Sequence, residues 1–185
     1  MLIPTIAKDR SDLEQILELQ QKNLVGGLSA SEWQQQGFVT VQHTIDMLEN
    51  MHRVAPSIIV KDGDRVVAYA LTMLRECAPV VPALQPMFDS FDEIEWKGCP
   101  LREQRFYAMG QICIDKAYRG QGLFDTLYHA HRDVYSPQFD ILATEIATRN
   151  QRSMRAHQRV GFKVISTYRD SLDEWAVVLW DWREE

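Results

Sequence analysis

Apolar residues recur along this chain with two periods, and the points where one gives way to the other mark its elements. In "DRSDLEQILELQQKNL", Leu13, Ile16, Leu17 and Leu24 share one face of a helix, with Ser11 as N-cap and Glu14 three residues on. "TVQHTIDMLENMHRV" predicts a second helix, with Val41, Ile45, Leu48 and either Met51 or His52 on one side. "GLFDTLYHAHRDVY" repeats the spacing with Leu123, Leu127, Ala130 or His131, and Val134, and "SPQ" closes it. "NQRSMRAHQRV" reads as a short helix stopped by Gly161. Strand-like runs fill the remainder. "LIPTIA" carries a proline and reads as an edge strand. "PSIIVKDGDRVVAYALTML" is a hairpin turning at "KDGD", "RFYAMGQICI" and "FDILATEIAT" are single strands, and "FKVISTYRD" with "EWAVVLWDW" is a closing hairpin. Two stretches break the pattern. "VGGLSASEWQQQGF" is a glycine- and serine-containing break, and "RECAPVVPALQPMFDSFDEIEWKGCPLRE", with four prolines, is an inserted excursion around residues 76–104.

The predicted order is β-α-α-β-β-β-α-β-α-β-β. Its central strand–helix–strand unit requires a right-handed crossover between two parallel neighbours, while the flanking hairpins keep the other pairings antiparallel. The fold class is mixed α/β: a mostly antiparallel central sheet with one parallel strand pair, flanked by about four helices. A length of 185 residues suits one domain over 1–185, with the excursion as a loop insertion rather than a second domain.

Composition narrows the functional classes. With 20 basic and 26 acidic residues the net charge is −6, and no basic cluster stands out, which argues against nucleic-acid binding. The balance fits a cationic small-molecule or peptide partner, although solubility alone explains it as well. The opening "MLIPTIAKDRSDLEQ" lacks the basic-then-apolar form of a secretory signal. The longest apolar run, "WAVVLW", falls well short of the ~20 residues a membrane span needs. Three cysteines without C-x-x-C spacing imply reduced thiols in a cytoplasm, with Cys113 a small core residue. His129 and His131 face different ways on their helix, and His43 and His52 lack partners at ligand spacing, so no metal is expected.

The chemistry-bearing stretch is "ICIDKAYRGQGLFDTLYHAH", where a strand stops, Gly120 and Gly122 follow, and a helix starts at once. Unpaired N–H groups at a helix start, together with the helix dipole, form an anion site suited to phosphate. A Walker loop would need G-K-[ST], but Leu123 and Phe124 follow Gly122. The dinucleotide fingerprint needs a third glycine where Asp125 stands. A plain tight turn accounts for the two glycines equally well.

The wider pattern separates these readings. A strand, the turn R-x-x-G-x-[GA] and a helix are followed about thirty residues later by a strand ending in Asn and a helix ending in Gly-Phe, here "ICIDKAYRGQGLF" and "ILATEIATRNQRSMRAHQRVGF". This arrangement resembles the GNAT superfamily of acyl-CoA N-acyltransferases. The order of elements agrees over most of the chain, and the specific motifs occupy residues 112–162. The resemblance implies the acyl-CoA N-acyltransferase fold, with the parallel pair opening in a V-shaped splay, and acetyl-CoA as cosubstrate. It implies that backbone amides of Arg119, Gly120, Gln121, Gly122, Leu123 and Phe124 grip the pyrophosphate. Ile112, Cys113 and Ile114 would offer a strand edge to the pantetheine amides, with Asn150 and Ser153 beside that arm. The sequence departs from the pattern at Phe124, where the family carries Gly or Ala. The amide there still serves, but the ring must turn toward the core.

Direct attack of a neutral amine on a thioester asks for a proton acceptor, an N–H for the oxyanion and a donor for the thiolate. Glu145, amid the apolar "ILATEIAT", is the candidate general base; a carboxylate there either faces a wet cavity or is paired, for instance with an arginine. His157 shares the inward helix face with Ser153, Ala156 and Val160 and replaces a tyrosine that in the family protonates the thiolate. It is a candidate acid or a satisfied core residue. Asn150 caps that helix in either case, and Arg119 is a phosphate partner or a surface charge. Tyr107 and Gln111 alternate with Met109 and are candidates for the acceptor side. In the excursion, Asp89, Asp92, Glu93 and Glu95 beside Phe88, Phe91 and Trp96 either attract a cationic amine or form a solvated loop with aromatic anchors. The expected function is transfer of the acetyl group of acetyl-CoA to a primary amine of a small molecule or peptide. The alternative is a non-catalytic acyl-CoA-binding sensor or subunit. A homodimer is left open.

Overall fold

The computed structural model describes residues 2–24 and 39–184. The break "VGGLSASEWQQQGF" lies outside them. In chain order the elements are β1 (Pro4–Ile6), α1 (Arg10–Gln21), α2 (Ile45–Val54), β2 (Ile58–Asp62), β3 (Arg65–Met73), α3 (Gln85–Asp92), β4 (Glu95–Trp96), β5 (Cys99–Pro100), β6 (Phe106–Ile114), α4 (Leu123–Tyr135), β7 (Ile141–Ala147), α5 (Gln151–Val160), β8 (Lys163–Arg169) and β9 (Glu174–Asp181). Seven strands form one sheet in the order β1-β2-β3-β6-β7-β9-β8, and β4-β5 form a small hairpin. β6 and β7 pair in parallel and their other neighbours pair antiparallel, the mixed sheet that the pattern predicts. β1 is an edge strand, as its proline requires.

Both faces of the sheet are covered. Leu13, Ile16 and Leu19 of α1, Leu48 and Met51 of α2, and Met87, Phe88 and Phe91 of α3 pack on one face against Ile59, Tyr69 and Leu71. Leu123, Leu127 and Tyr128 of α4 and Val160 of α5 pack on the other against Val60, Leu142 and Ile146. Burial on both sides explains why β3 and β9 read as continuous apolar runs rather than alternating ones. Each fully buried Leu or Ile contributes about 1.5–3 kcal/mol, so the two cores hold the site-bearing strands firmly.

Three expectations shift. The N-cap of α1 is Asp9, not Ser11: its carboxylate accepts from Asp12 N at 3.1 Å, while Asp12 accepts from Lys8 N at 2.9 Å. α2 begins at Ile45 rather than near Thr40, because the Thr44 hydroxyl caps it by accepting from Met47 N at 3.3 Å. The backbone ahead of that cap is claimed by side chains: Gln111 Nε2 donates to Val41 O and His43 N donates to Gln20 Oε1, each at 2.8 Å. The excursion carries a helix of its own, α3, whose Phe88 and Phe91 meet edge-on at 5.9 Å inside the core. Trp96 is tied down by donating to Asp181 Oδ2 at 2.9 Å. Phe88, Phe91 and Trp96 thus anchor this stretch to the body of the fold.

The feature that creates a site lies in β6. Leu71 pairs with Gln111 and Thr72 with Met109, so Gly110 is the extra residue of a β-bulge. On its other side β6 pairs with β7 only from Phe106↔Ile141 to Ala108↔Ala143. Past that point the strands part, and Thr144 Oγ1 donating to Met109 O at 2.8 Å is the last link between them.

Candidate functional site

The glycine turn adopts the backbone its composition suggested. Gly120 and Gly122 have φ of 76° and 78°, left-handed values that a residue with a Cβ adopts only under strain. Gly122 is the N-cap of α4 without any side-chain cap, and the first intrahelical bond runs from Thr126 N to Gly122 O at 3.1 Å. The amides of Leu123, Phe124 and Asp125 are therefore left for a ligand by the geometry of a helix start.

A cleft of about 580 Å³ opens over this turn, between the start of α4, the start of α5 and the exposed edge of β6. Of the residues expected to hold a cofactor, Ile112, Cys113, Ile114, Arg119, Gly120, Gly122, Leu123, Phe124, Asn150 and Ser153 line it. Gln121 does not; its side chain turns back to donate to Ala117 O at 3.3 Å. The Arg119 guanidinium braces the loop from within, donating to Ile114 O at 3.0 Å and to Asn23 Oδ1 at 2.7 Å. The Phe124 ring packs toward the core, 5.1 Å from Tyr128 and 5.0 Å from His157 between ring centres. Asn150 caps α5 by accepting from Ser153 N at 3.2 Å. Sequence reasoning missed Arg152, Arg155 and Arg159, which add cationic lining along α5. Their i, i+3, i+7 spacing was the available signal. Arg159 pairs with Asp125 at 2.6 Å. A cradle of helix-start amides with a guanidinium wall suits a phosphorylated ligand, and the β6 edge continues it toward the splay.

A smaller cavity of about 80 Å³ lies at the splay itself. It shares Ile112, Asn150 and Ser153 with the larger cleft and adds Gln111, Thr144, Glu145, His157 and Trp175. Burial pushes the Glu145 carboxyl up to about 7; the Tyr168 hydroxyl that donates to its Oε2 works against this, and the negative Asp170 nearby adds to it. Among the described residues no cation pairs with Glu145, and its side chain lines the splay cavity. His157 is buried and its environment lowers it to about 4 through desolvation. Its Nδ1 lies 2.8 Å from Ser153 O, which only accepts, so Nδ1 carries the proton and Nε2 accepts from Tyr128 Oη at 2.5 Å. Both ring nitrogens are engaged.

Tyr107 and Gln111 part company. Tyr107 is buried under α4, its hydroxyl 2.9 Å from His131 Nδ1, and lines neither cavity. The bulge at Gly110 reverses the alternation, placing Gln111 on the opposite face, where it accepts from Tyr69 Oη at 2.6 Å and from Gln20 Nε2 at 2.7 Å. Cys113 is buried and its thiol is raised to about 12, so it is inert as a nucleophile at neutral pH. No group of metal-ligating side chains occurs among the described residues.

The fold is shared with many solved structures. An acetyltransferase of the GNAT family from Streptococcus agalactiae aligns with a TM-score of 0.68 at 12% identity, covering 97% of this chain and 95% of that one. Ard1 from Thermoplasma volcanium aligns at 0.64 and 14%, covering 96% and 97%. The yncA protein of Salmonella typhimurium, solved with acetyl-CoA, aligns at 0.62 and 14%, covering 98% and 94%. The sequence matches no curated protein. A family-wide profile described as the acetyltransferase (GNAT) family matches residues 13–162, which takes in the glycine turn, the splay and the closing Gly-Phe. The chain therefore belongs to the GNAT acetyltransferase family.

Proposed function

We propose that this protein is an acetyl-CoA-dependent N-acetyltransferase acting on a primary amine of a small molecule or peptide. The observation that carries the reading is one continuous wall. It runs from the glycine turn, along the part of β6 that β7 leaves unpaired, to a half-buried carboxylate at the splay. In this reading the backbone of Arg119, Gly120, Gly122, Leu123 and Phe124 around the start of α4 holds the pyrophosphate, and Gln121, which does not line the cleft, serves only to shape the turn. Ile112, Cys113 and Ile114 pair with the pantetheine amides as a missing strand would, and Asn150 and Ser153 flank them. Acetyl-CoA supplies the activated acyl group. Glu145, with its affinity for a proton raised to about 7, takes the proton from the acceptor's ammonium and leaves the amine lone pair free for attack. The charge layout is consistent with this division: guanidinium groups line the larger cleft, and the splay cavity is lined by no Lys or Arg.

His157, neutral and engaged at both nitrogens, holds Ser153 and Tyr128 in place in this scheme; the CoA thiolate expelled by the attack takes the second proton that the nitrogen sheds as the amide forms, and Glu145 returns the first to solvent. Two features of related structures support an amine acceptor and an acyl-CoA donor. One neighbour of the same fold is the ribosomal-protein-S18-alanine N-acetyltransferase of Escherichia coli, at 13% identity and a TM-score of 0.63, and yncA was solved with acetyl-CoA. Three free cysteines fit a reducing compartment such as the cytoplasm, and no helix among the described residues is long and apolar enough to cross a membrane.

The test is release of free CoA from acetyl-CoA across a panel of primary amines: a polyamine, an aryl-ethylamine, a lysine-containing peptide and peptides with free α-amino groups. Release above background with at least one, with mass gain on the amine, is the expected result. Tight acetyl-CoA binding without release by any amine would replace the enzyme with the acyl-CoA sensor.

A further inference from the structure

We infer that Tyr168 is a positioning residue for Glu145, holding one carboxylate oxygen so that the other faces the acceptor. The inference rests on the assignment of Glu145 as general base and deepens it. Tyr168 lies on β8, two strands away from β7, since β9 runs between them. Glu145 pairs with Val177 and Trp175 pairs with Tyr168, so the tyrosine stands on a diagonal across β9. Two strand spacings amount to about 9.5 Å, a gap that a tyrosine and a glutamate reaching toward each other close. The Tyr168 hydroxyl donates to Glu145 Oε2. Among the described residues Oε1 has no hydrogen-bond donor, and Glu145 lines the splay cavity, which leaves Oε1 for a substrate proton.

Among the described residues this hydroxyl is the one contact that stabilises the carboxylate's charge. Asp170, just past the end of β8, repels its charge, and Asp89 of α3 acts on Tyr168 in the same sense. From α5 the cavity receives the neutral His157, and from β6 the neutral Gln111. The nearby arginines serve elsewhere: Arg149 pairs with Asp173 at 2.6 Å and Arg169 with Glu174 at 3.1 Å. A carboxylate in this setting relies on one phenol both for its rotamer and for remaining ionised near neutral pH.

The experiment titrates the Glu145 side-chain carboxyl by carbon-13 NMR in the natural protein and in Tyr168→Phe, with Glu145→Gln identifying the signal. The same three proteins are assayed for CoA release from acetyl-CoA with the amine panel as a function of pH. Loss of a hydrogen bond to the charged form is expected to move the carboxyl midpoint up by about one pH unit. The acid limb of kcat/KM should move with it, while acetyl-CoA affinity stays the same. A midpoint that does not move, or a rate loss equal at every pH, overturns the inference. Should Tyr168→Phe fail to fold, 3-fluorotyrosine at position 168 replaces it: its more acidic hydroxyl should lower the midpoint, and an unchanged midpoint overturns the inference equally. If Glu145→Gln itself leaves the rate at pH 7 unchanged, the base assignment fails and this inference with it. If Glu145→Gln is slow but Tyr168→Phe shifts nothing, the role of Tyr168 alone is refuted.

Discussion

Replacing Glu145 by Gln should make the protein slower and, above neutral pH, more stable. Removal of a general base costs typically 10²–10⁴-fold, and that is the loss expected at pH 7. The loss should shrink as pH rises. An alkylamine acceptor of the lysine type, with a pKa of about 10.4, is roughly 0.04% neutral at pH 7 and about 4% at pH 9. The variant, which waits for unaided deprotonation, should thus gain about 100-fold over that interval. The natural protein, with its base titrating at about 7 and half ionised there, should gain only about twofold, so the gap narrows about fiftyfold. Stability runs the other way. The folded-state value of Glu145 lies above its ordinary 4.5, so its favourable contribution is complete below 4.5 and is lost as pH rises through about 7. The rise from 4.5 to about 7 corresponds to at most ~3.4 kcal/mol, and roughly 2 after allowance for partial solvent access. Gln accepts the same Tyr168 hydrogen bond without a charge, so the variant should melt some 4–8 °C higher at pH 8 and no higher at pH 4. Calorimetric melts at the two pH values and a kcat/KM profile from pH 6 to 9 measure both effects. A pH-independent loss of rate, or a melt unaltered at pH 8, would refute the account of Glu145 as a desolvated base.

Further outcomes follow from single contacts. His157→Phe removes the acceptor for the buried Tyr128 hydroxyl, which should cost about 1–3 kcal/mol in thermal or urea denaturation. Acetyl-CoA affinity should stay within a few-fold; a collapse of turnover at unchanged stability would instead make His157 the catalytic acid. Gly122→Ala forces a side chain onto a backbone with φ of 78°, although nothing lies within 4 Å of the added Cβ. The strain of about 1–2 kcal/mol should displace the helix-start amides and weaken acetyl-CoA binding about tenfold in titration calorimetry. Unchanged affinity would remove that turn from the cofactor site.

Much of the proposed cofactor side was legible in the residues because its physics is local. Positive φ at Gly120 and Gly122, the Asn150 cap and the Gly161 stop are properties of consecutive residues, and they recur in the structure where the sequence places them. The strand and helix order followed from periodicity for the same reason, since each element's apolar face is written along its own length. Cap choice was less legible, because Asp9 and Ser11 are both competent N-caps and the bonds from Asp12 N to Asp9 and from Lys8 N to Asp12 select between them.

The proposed acceptor side was decided by tertiary structure. One bulged residue, Gly110, turns Gln111 onto the face opposite Tyr107, and period-two reasoning cannot anticipate an inserted residue. The same bulge lies where β6 leaves β7, opening the cavity that Glu145 lines. Tyr168 meets Glu145 only because β9 inserts between β7 and β8 in register, bringing together residues 23 positions apart in the chain. Sequence by itself determined the local backbone that can grip a phosphate. Only strand pairing determined which carboxylate, phenol and amide share a cavity, because register couples residues through space and leaves no periodic trace along the chain.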